Sequence, residues 1–229
     1  MTSSALHRHV FITGGTGYIG RALIDALLRR GHTVRALVRS GGSARLPDGV
    51  EFIVGNALDA TSYASEVAPA DTFVQLVGTP HPGPNKTEEF RRIDLPSGLA
   101  AVDAALQGRV RHLVYVSVAH PAPVLKPYVL ARSAVETRIR EACGRSWLTA
   151  TILRPWYVLG PGHRWPVVLT PLYSLARRLP WTREGARRLG LVTREQMIGA
   201  LVEAIEHPPD DVTGPRVWEV PRIAQGRVP

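Results

Sequence analysis

The stretch that most constrains this chain is Val10-Phe11-Ile12-Thr13-Gly14-Gly15-Thr16-Gly17-Tyr18-Ile19-Gly20. Val10 to Thr13 is a run of β-branched and aromatic residues, the pattern of a buried parallel strand. It stops at a glycine-rich turn. From Tyr18 to Arg30 the apolar residues Ile19, Leu23, Ala26 and Leu27 recur at helical spacing. A pyrophosphate can rest on the backbone N–H groups at a helix N-terminus only where no side chain blocks its approach. Gly15, Gly17 and Gly20 give the general dinucleotide spacing, and Gly14 adds the tighter Gly14-x-x-Gly17-x-x-Gly20 variant. A plain tight turn would not need four glycines. The stretch therefore reads as a nucleotide cradle.

The chain that follows alternates strands with helices. Gly31 is placed to close the first helix, and residues 32–38 form a second strand. A third strand is expected over 50–54, a fourth over 71–77, a fifth over 111–117 and a sixth over 147–153. Helical patterns cover 87–107, interrupted at Pro96, then 126–143 with Gly144 as its closing glycine. A last clear helix spans 193–206, with Thr193 as N-cap and Gln196 three residues on. Residues 217–220 suggest a late strand, and a short basic helix is expected near 169–179. Such alternation implies an α/β, doubly wound parallel sheet of the Rossmann kind. The texture changes at Trp156, where prolines and tryptophans crowd the chain. The division expected is a nucleotide-binding domain over 1–155 and a small C-terminal substrate lobe over 156–229, packed as one unit.

The end of the second strand bears on the choice of cofactor. NAD-specific sites carry an acidic residue there to hold the ribose hydroxyls. This chain has Arg39, followed by Ser40. A guanidinium can grip a 2′-phosphate that a carboxylate would repel, so NADP(H) is preferred, with NAD(H) possible. The same residue also fits an ordinary surface arginine.

Charge and cysteine content narrow the remaining classes. The formal net charge of +9 comes with scattered pairs such as Arg29-Arg30, Arg91-Arg92, Arg177-Arg178 and Arg187-Arg188. Charge of this kind attracts an anionic dinucleotide without any nucleic-acid-binding motif, and no specific nucleic-acid partner is expected. Cys143 is the only cysteine, so disulfides within the chain and thiolate metal clusters are excluded. His81, His120 and His163 show no zinc spacing, and no metal is expected. The opening residues lack a signal-peptide core and no run reaches membrane-spanning length. Cytoplasmic location is the expectation, as a monomer or homodimer acting on a small molecule. Trp156, Tyr157, Trp165, Tyr173 and Trp181 fit the roof of an apolar pocket or the core of a small lid. The basic helix, with Leu172, Leu175 and Leu179, is short for a membrane contact.

Taken together, these residues resemble the short-chain dehydrogenase/reductase superfamily, in its atypical and extended members (epimerase-like, NmrA-like and complex I accessory-subunit-like). The likeness covers about residues 8–207. It is carried by the Thr13 to Gly20 turn, Gly55 to Asp59, Ser117 at a strand end, Tyr128 opening a helix, Leu153-Arg154-Pro155 and the helix from Thr193. The resemblance implies that Gly14, Thr16, Gly17, Tyr18, Ile19 and Gly20 hold the cofactor phosphates. It sets Asn56 and Ala57 beside the adenine, Gly78 and Thr79 along the ribose, and Pro155 near the nicotinamide carboxamide. Asp94 matches a position often occupied by asparagine or aspartate. It also implies a catalytic set of a serine, a tyrosine and a lysine four residues later, here Ser117, Tyr128 and Arg132. A phenol titrates near pH ~10, so the family's cation lowers it toward neutrality. Arg132 keeps the charge with a bulkier, planar group. Two readings stay open: an NADP(H)-dependent oxidoreductase of a small carbonyl, quinone or sugar-like substrate, and a non-catalytic NADP(H)-sensing regulatory or assembly protein.

Overall fold

Val10, Phe11 and Ile12 have almost no solvent exposure, because their strand lies at the centre of the sheet. The computed structural model describes residues 7–122, 124–160, 189–210 and 213–227. The first strand, β1 (His9–Thr13), pairs in parallel with β2 (Thr33–Val38) on one side and β4 (Thr72–Gln75) on the other. Outside them lie β3 (Glu51–Val54), β5 (His112–Val116) and β6 (Thr149–Arg154), all parallel. The late strand is real: β9 (Arg216–Glu219) pairs with β6 and becomes a seventh member, in the order β3-β2-β1-β4-β5-β6-β9. A separate parallel pair joins β7 (Tyr157–Leu159) to β8 (Leu191–Thr193). This is the doubly wound α/β sheet that the alternation of elements predicts.

Alternate residues of each strand face opposite layers. Val10 and Ile12 pack with Leu23 and Leu27 of α1 (Tyr18–Arg29) and with Met197 and Leu201 of a C-terminal helix, Arg194–Glu206. Phe11, Phe73 and Leu113 pack on the other face with Ala101, Val135 and Ile139. That face is covered by α3 (Leu95–Gln107) and α4 (Lys126–Arg145), which follow the short helical turn α2 (Thr87–Glu89). Each such fully buried Leu, Ile or Phe contributes about 1.5–3 kcal/mol.

The helix ends follow local chemistry. Gly31, at φ +80, closes α1, and the His32 N–H donates back to the Leu27 carbonyl at 3.1 Å. Thr193 and Gln196 form a reciprocal capping box on the Arg194–Glu206 helix. Gly144 does not close α4. The helix runs on to Arg145, and Ser146 finishes it: its hydroxyl donates to Ala142 O at 2.9 Å and accepts from Leu148 N at 3.1 Å. A side chain that satisfies the helix end removes the need for a left-handed glycine. The interruption near Pro96 takes a specific form, a π-helical turn at Phe90–Asp94 just before α3. Proline cannot donate to the carbonyl four residues back, and the turn ahead of it is widened. That turn directs Asp94 inward.

With every main-sheet strand parallel, all C-terminal strand ends lie along one edge. The strand order reverses between β1 and β4, which opens a crevice there.

Candidate functional site

The crevice is a cavity of about 350 Å³ lined by the glycine turn, the ends of β4 and β5, the start of α4 and the segment from Pro155. At its floor the Gly17 N–H donates to Gly14 O at 3.0 Å, with Gly14 at φ +79. A Cβ on Gly20 would overlap that same carbonyl oxygen and come within 2.7 Å of Gly15 Cα. The turn and the first helical turn are in direct backbone contact, and only glycine permits this. Gly17 is the N-cap and carries no side-chain cap, and α1 has no acidic residue in its first turn. A Cβ on Gly17 would meet only Gly14 O, at 3.2 Å, so the outer surface of the turn is open. Uncapped N–H groups at the positive end of a helix, approachable from outside, suit a pyrophosphate. The residues present fit a dinucleotide.

Above the turn, Tyr128 and Arg132 project from one face of α4, one helical turn apart. Arg132 is almost fully buried. Its Nη2 donates to Asp94 Oδ1 at 2.6 Å and its Nη1 to Val116 O at 2.8 Å. Asp94, wholly buried, also accepts from the Thr79 N–H at 3.2 Å and from Thr79 Oγ1 at 2.5 Å. The π turn and the β4 end thus clamp the guanidinium. A Cβ on Gly78 would overlap Arg132 Nη2 and stand 3.0 Å from Asp94 Oδ1. The Arg132 guanidinium lies 5.3 Å from the Tyr128 ring centroid and 5.8 Å from that of Tyr115. Burial opposes its charge, but Tyr128, Tyr115 and Asp94 hold it protonated. Burial pushes the Tyr128 phenol above its ordinary range, and Arg132 offsets this only in part.

Ser117, one residue past β5, is buried and donates its hydroxyl to Glu136 Oε1 at 2.7 Å. Glu136 has no solvent exposure. It also accepts from Arg154 Nε at 3.0 Å, from Arg154 Nη2 and from Arg140 Nη2 at 2.9 Å, while His120 Nε2 lies 3.2 Å from Oε1. Burial would raise the carboxyl's pKa, but the bonds from Arg154 and Ser117 outweigh it and keep the group ionised below the usual carboxylate range. A hydroxyl that donates to Glu136 presents only lone pairs to the crevice.

The structure brings Gly14, Gly17, Tyr18, Ile19, Gly20, Gly78, Thr79 and Pro155 to the same cavity as Ser117, Tyr128 and Arg132. Four expected cofactor residues do not line it. Thr16 lines an adjoining pocket on the outer side of α1. Arg39 is exposed just past β2, on the same sheet edge. Asn56 and Ala57 follow β3, and Asn56 Oδ1 accepts from the Leu58 N–H at 3.1 Å, so the carboxamide offers its NH2 end. Trp156 and Tyr157 line the crevice. His163, Trp165, Tyr173, Trp181 and the basic helix near 169–179 lie outside the described residues. Sequence reasoning missed Glu136 and gave Asp94 no partner. Tyr128, Arg132 and Glu136 recur at i, i+4 and i+8, a one-face pattern that would have found the first. Among the described residues no three His, Cys, Asp or Glu side chains form a metal-binding group, and no helix is long and apolar enough to cross a membrane.

The open glycine turn at a topological switch point defines a Rossmann-type NAD(P)-binding protein. A family described as NAD(P)H-binding matches residues 14–171, and the chain belongs to it. Its relatives include a 3-diazoavenalumate denitrifying reductase from a Streptomyces species, 29% identical over 94% of this chain and 80% of the relative. A ceramide reductase from Caulobacter vibrioides is 31% identical over 75% of this chain and 52% of the relative. The chain thus spans most of the first and about half of the second. Among solved structures, a short-chain dehydrogenase/reductase superfamily protein from Agrobacterium tumefaciens with bound NAD has a TM-score of 0.67 at 18% identity, covering 92% of this chain and 77% of that one. A UDP-glucuronic acid 4-epimerase from Bacillus cereus in complex with NAD also has a TM-score of 0.67, at 17% identity over 92% and 77%. These structures share the fold with the present chain.

Proposed function

We propose that this protein is an NADP(H)-dependent reductase of a small organic carbonyl compound. The observation that carries the reading is the meeting of Tyr128 and Ser117 with the open glycine turn in one crevice. The Tyr18, Ile19 and Gly20 N–H groups would hold the pyrophosphate, Gly78 and Thr79 the ribose, and Pro155 the carboxamide. Arg39 would take the 2′-phosphate. Asn56, through its NH2 end, and Ala57 would flank the adenine. A bound NADPH supplies a hydride from C4 of its nicotinamide.

The chain's own groups then govern the proton. Tyr128, like any phenol, is protonated at neutral pH, and burial raises its pKa further, so the phenol serves as acid. With the hydride supplied by that cofactor, Oη would give its proton to the carbonyl oxygen, forming an alcohol and a Tyr128 phenolate that would take a proton back from solvent. A raised phenol favours this direction over oxidation, which needs the phenolate as base. Relatives named as reductases fit that direction. Ser117 acts as an acceptor, orienting a substrate or product hydroxyl rather than polarising a carbonyl. Arg132 takes the lysine position but serves as a strut. Trp156 and Tyr157 wall the crevice where the expected substrate lobe begins, although helix Arg194–Glu206 and β9, also assigned to that lobe, pack with the main sheet instead.

The test is NADPH consumption over a panel of aromatic ketones, quinones and sugar-nucleotide ketones, with Tyr128→Phe as control. Turnover that falls about 100-fold or more in the variant, with NADPH binding retained, supports the reading. Unchanged turnover removes Tyr128 from the chemistry. A second reading, NADP(H) sensing without turnover, is favoured by one observation: both Nη atoms of Arg132 are already bonded, to Asp94 and to Val116 O. NADPH binding with no consumption across the panel would select it.

A further inference from the structure

At the opposite edge of the sheet, where β1, β4, β5 and β6 begin, lies a second and larger cleft of about 610 Å³. Arg8, Arg109, Arg111, His112 and Trp147 line it, with Asp71 and Asp210. None of them belongs to the cofactor crevice.

Its floor contains two buried nitrogens without a partner among the described residues. His112 opens β5, is 1% exposed, and places Nε2 3.0 Å from Thr151 Oγ1. The same hydroxyl accepts from Arg216 Nη2 at 3.2 Å. A guanidinium only donates, so Thr151 Oγ1 accepts from Arg216 and keeps its one hydrogen and a second lone pair for His112 Nε2, an arrangement that suits either neutral tautomer of the ring. Burial, reinforced by Arg216 and Arg8, keeps the ring neutral, with a pKa of about 3. In the tautomer in which the hydroxyl donates to Nε2, the neutral imidazole carries its proton on Nδ1 and can donate it to a ligand. Among the described residues neither His112 Nδ1 nor Arg8 Nε, both buried, has a hydrogen-bond partner. Buried polar groups are ordinarily satisfied, and an acceptor entering this cleft would satisfy these two.

The rim agrees in charge and shape. Arg109 holds the left-handed position (φ 53) after α3, which usually falls to glycine, while the neighbouring Gly108 has an ordinary negative φ. The exposed Arg109 and Arg111 side chains pair with no described carboxylate. Of the two acids, Asp71 is already engaged, accepting from the His9 N–H at 2.9 Å; Asp210 is exposed at the rim. Trp147 is 51% exposed, a flat apolar surface beside the arginines. We propose that this cleft is a binding site for a small aromatic anion, its charged group met by Arg109, Arg111 and the His112 Nδ1–H and its ring laid on Trp147.

The test uses the full chain and phenyl phosphate, titrated calorimetrically with and without saturating NADPH. A ¹⁵N spectrum of the histidine rings is recorded alongside. The expected result is saturable binding whose affinity NADPH leaves unchanged, with a shift of the His112 Nδ1 resonance. Arg111→Gln and Trp147→Ala, both surface changes, should each weaken binding about tenfold. Phenol and inorganic phosphate, each half of the probe, should bind at least about tenfold more weakly than the whole. The proposal is overturned by absence of saturable binding, by competition with NADPH, by inorganic phosphate matching phenyl phosphate, or by wild-type affinity in both variants. None of these results bears on turnover at Tyr128, so the two readings fail separately.

Discussion

Asp94→Asn is the perturbation that most sharply tests how the crevice is built. Arg132 and Asp94 form a 2.6 Å ion pair whose side chains are 6% and 0% exposed. Asparagine keeps the size and one acceptor oxygen, enough for Thr79, but removes the charge. The guanidinium cannot escape by losing its proton, and the wall at Gly78 leaves it no room to swing toward the β4 end. Breaking one side of such a buried pair costs about 3–5 kcal/mol, because the remaining charge is desolvated without compensation. For a domain of this size, about 2–4 °C of melting temperature corresponds to each kcal/mol, so the variant should melt roughly 6–20 °C lower. Urea unfolding followed by circular dichroism gives the free energy directly. The double variant Asp94→Asn/Arg132→Met should recover much of the loss, since it leaves no orphaned charge. An Asp94→Asn variant within about 1 kcal/mol of the parent would refute the clamp, and additive losses in the double variant would refute the coupling.

Three further outcomes follow from the same geometry. Gly20→Ala places a methyl group into the Gly14 carbonyl; it should abolish measurable NADPH binding by fluorescence titration, and retained affinity would show that the turn is not the phosphate cradle. Arg39→Asp should weaken NADPH about 100-fold while leaving NADH within a few-fold; equal losses for both would remove Arg39 from 2′-phosphate recognition. The pH dependence has a definite sign. His112 is depressed from 6.5 to about 3, so between those values the unfolded chain binds a proton that the folded one refuses. Its contribution to stability is complete above pH 6.5 and is lost as the pH falls toward 3, about 2 kcal/mol of it by pH 5. Unfolding free energies from urea titrations between pH 7 and 5 should fall by about this amount more in the parent than in His112→Gln; parallel curves would show that the ring is not held neutral.

Much of the fold is legible in the sequence because its signals are local. A β-branched run, four glycines and a 3.6-residue apolar period each act within a dozen residues, so β1, the turn and α1 can be read directly. Gly31 and the Thr193 capping box are legible for the same reason. Gly144 misled because the helix end was satisfied instead by the Ser146 hydroxyl, a competition that composition does not reveal. The assignment of Tyr128 and Arg132 to one helix face was likewise available from their four-residue spacing.

What only the tertiary structure decided is which polar groups are already engaged. The sequence by itself determined a nucleotide-binding Rossmann sheet and the residue types that would crowd its C-terminal edge. It could not tell that Asp94, nearly forty positions before Arg132, would be turned inward by a π turn to hold that guanidinium. Nor could it tell that Ser117 would donate its hydroxyl hydrogen bond to Glu136. Hydrogen-bond capacity is finite, and partners drawn from distant parts of the chain compete for it. The same residue letters therefore describe an active acid–base set or a structural brace, according to which contacts the folded chain satisfies.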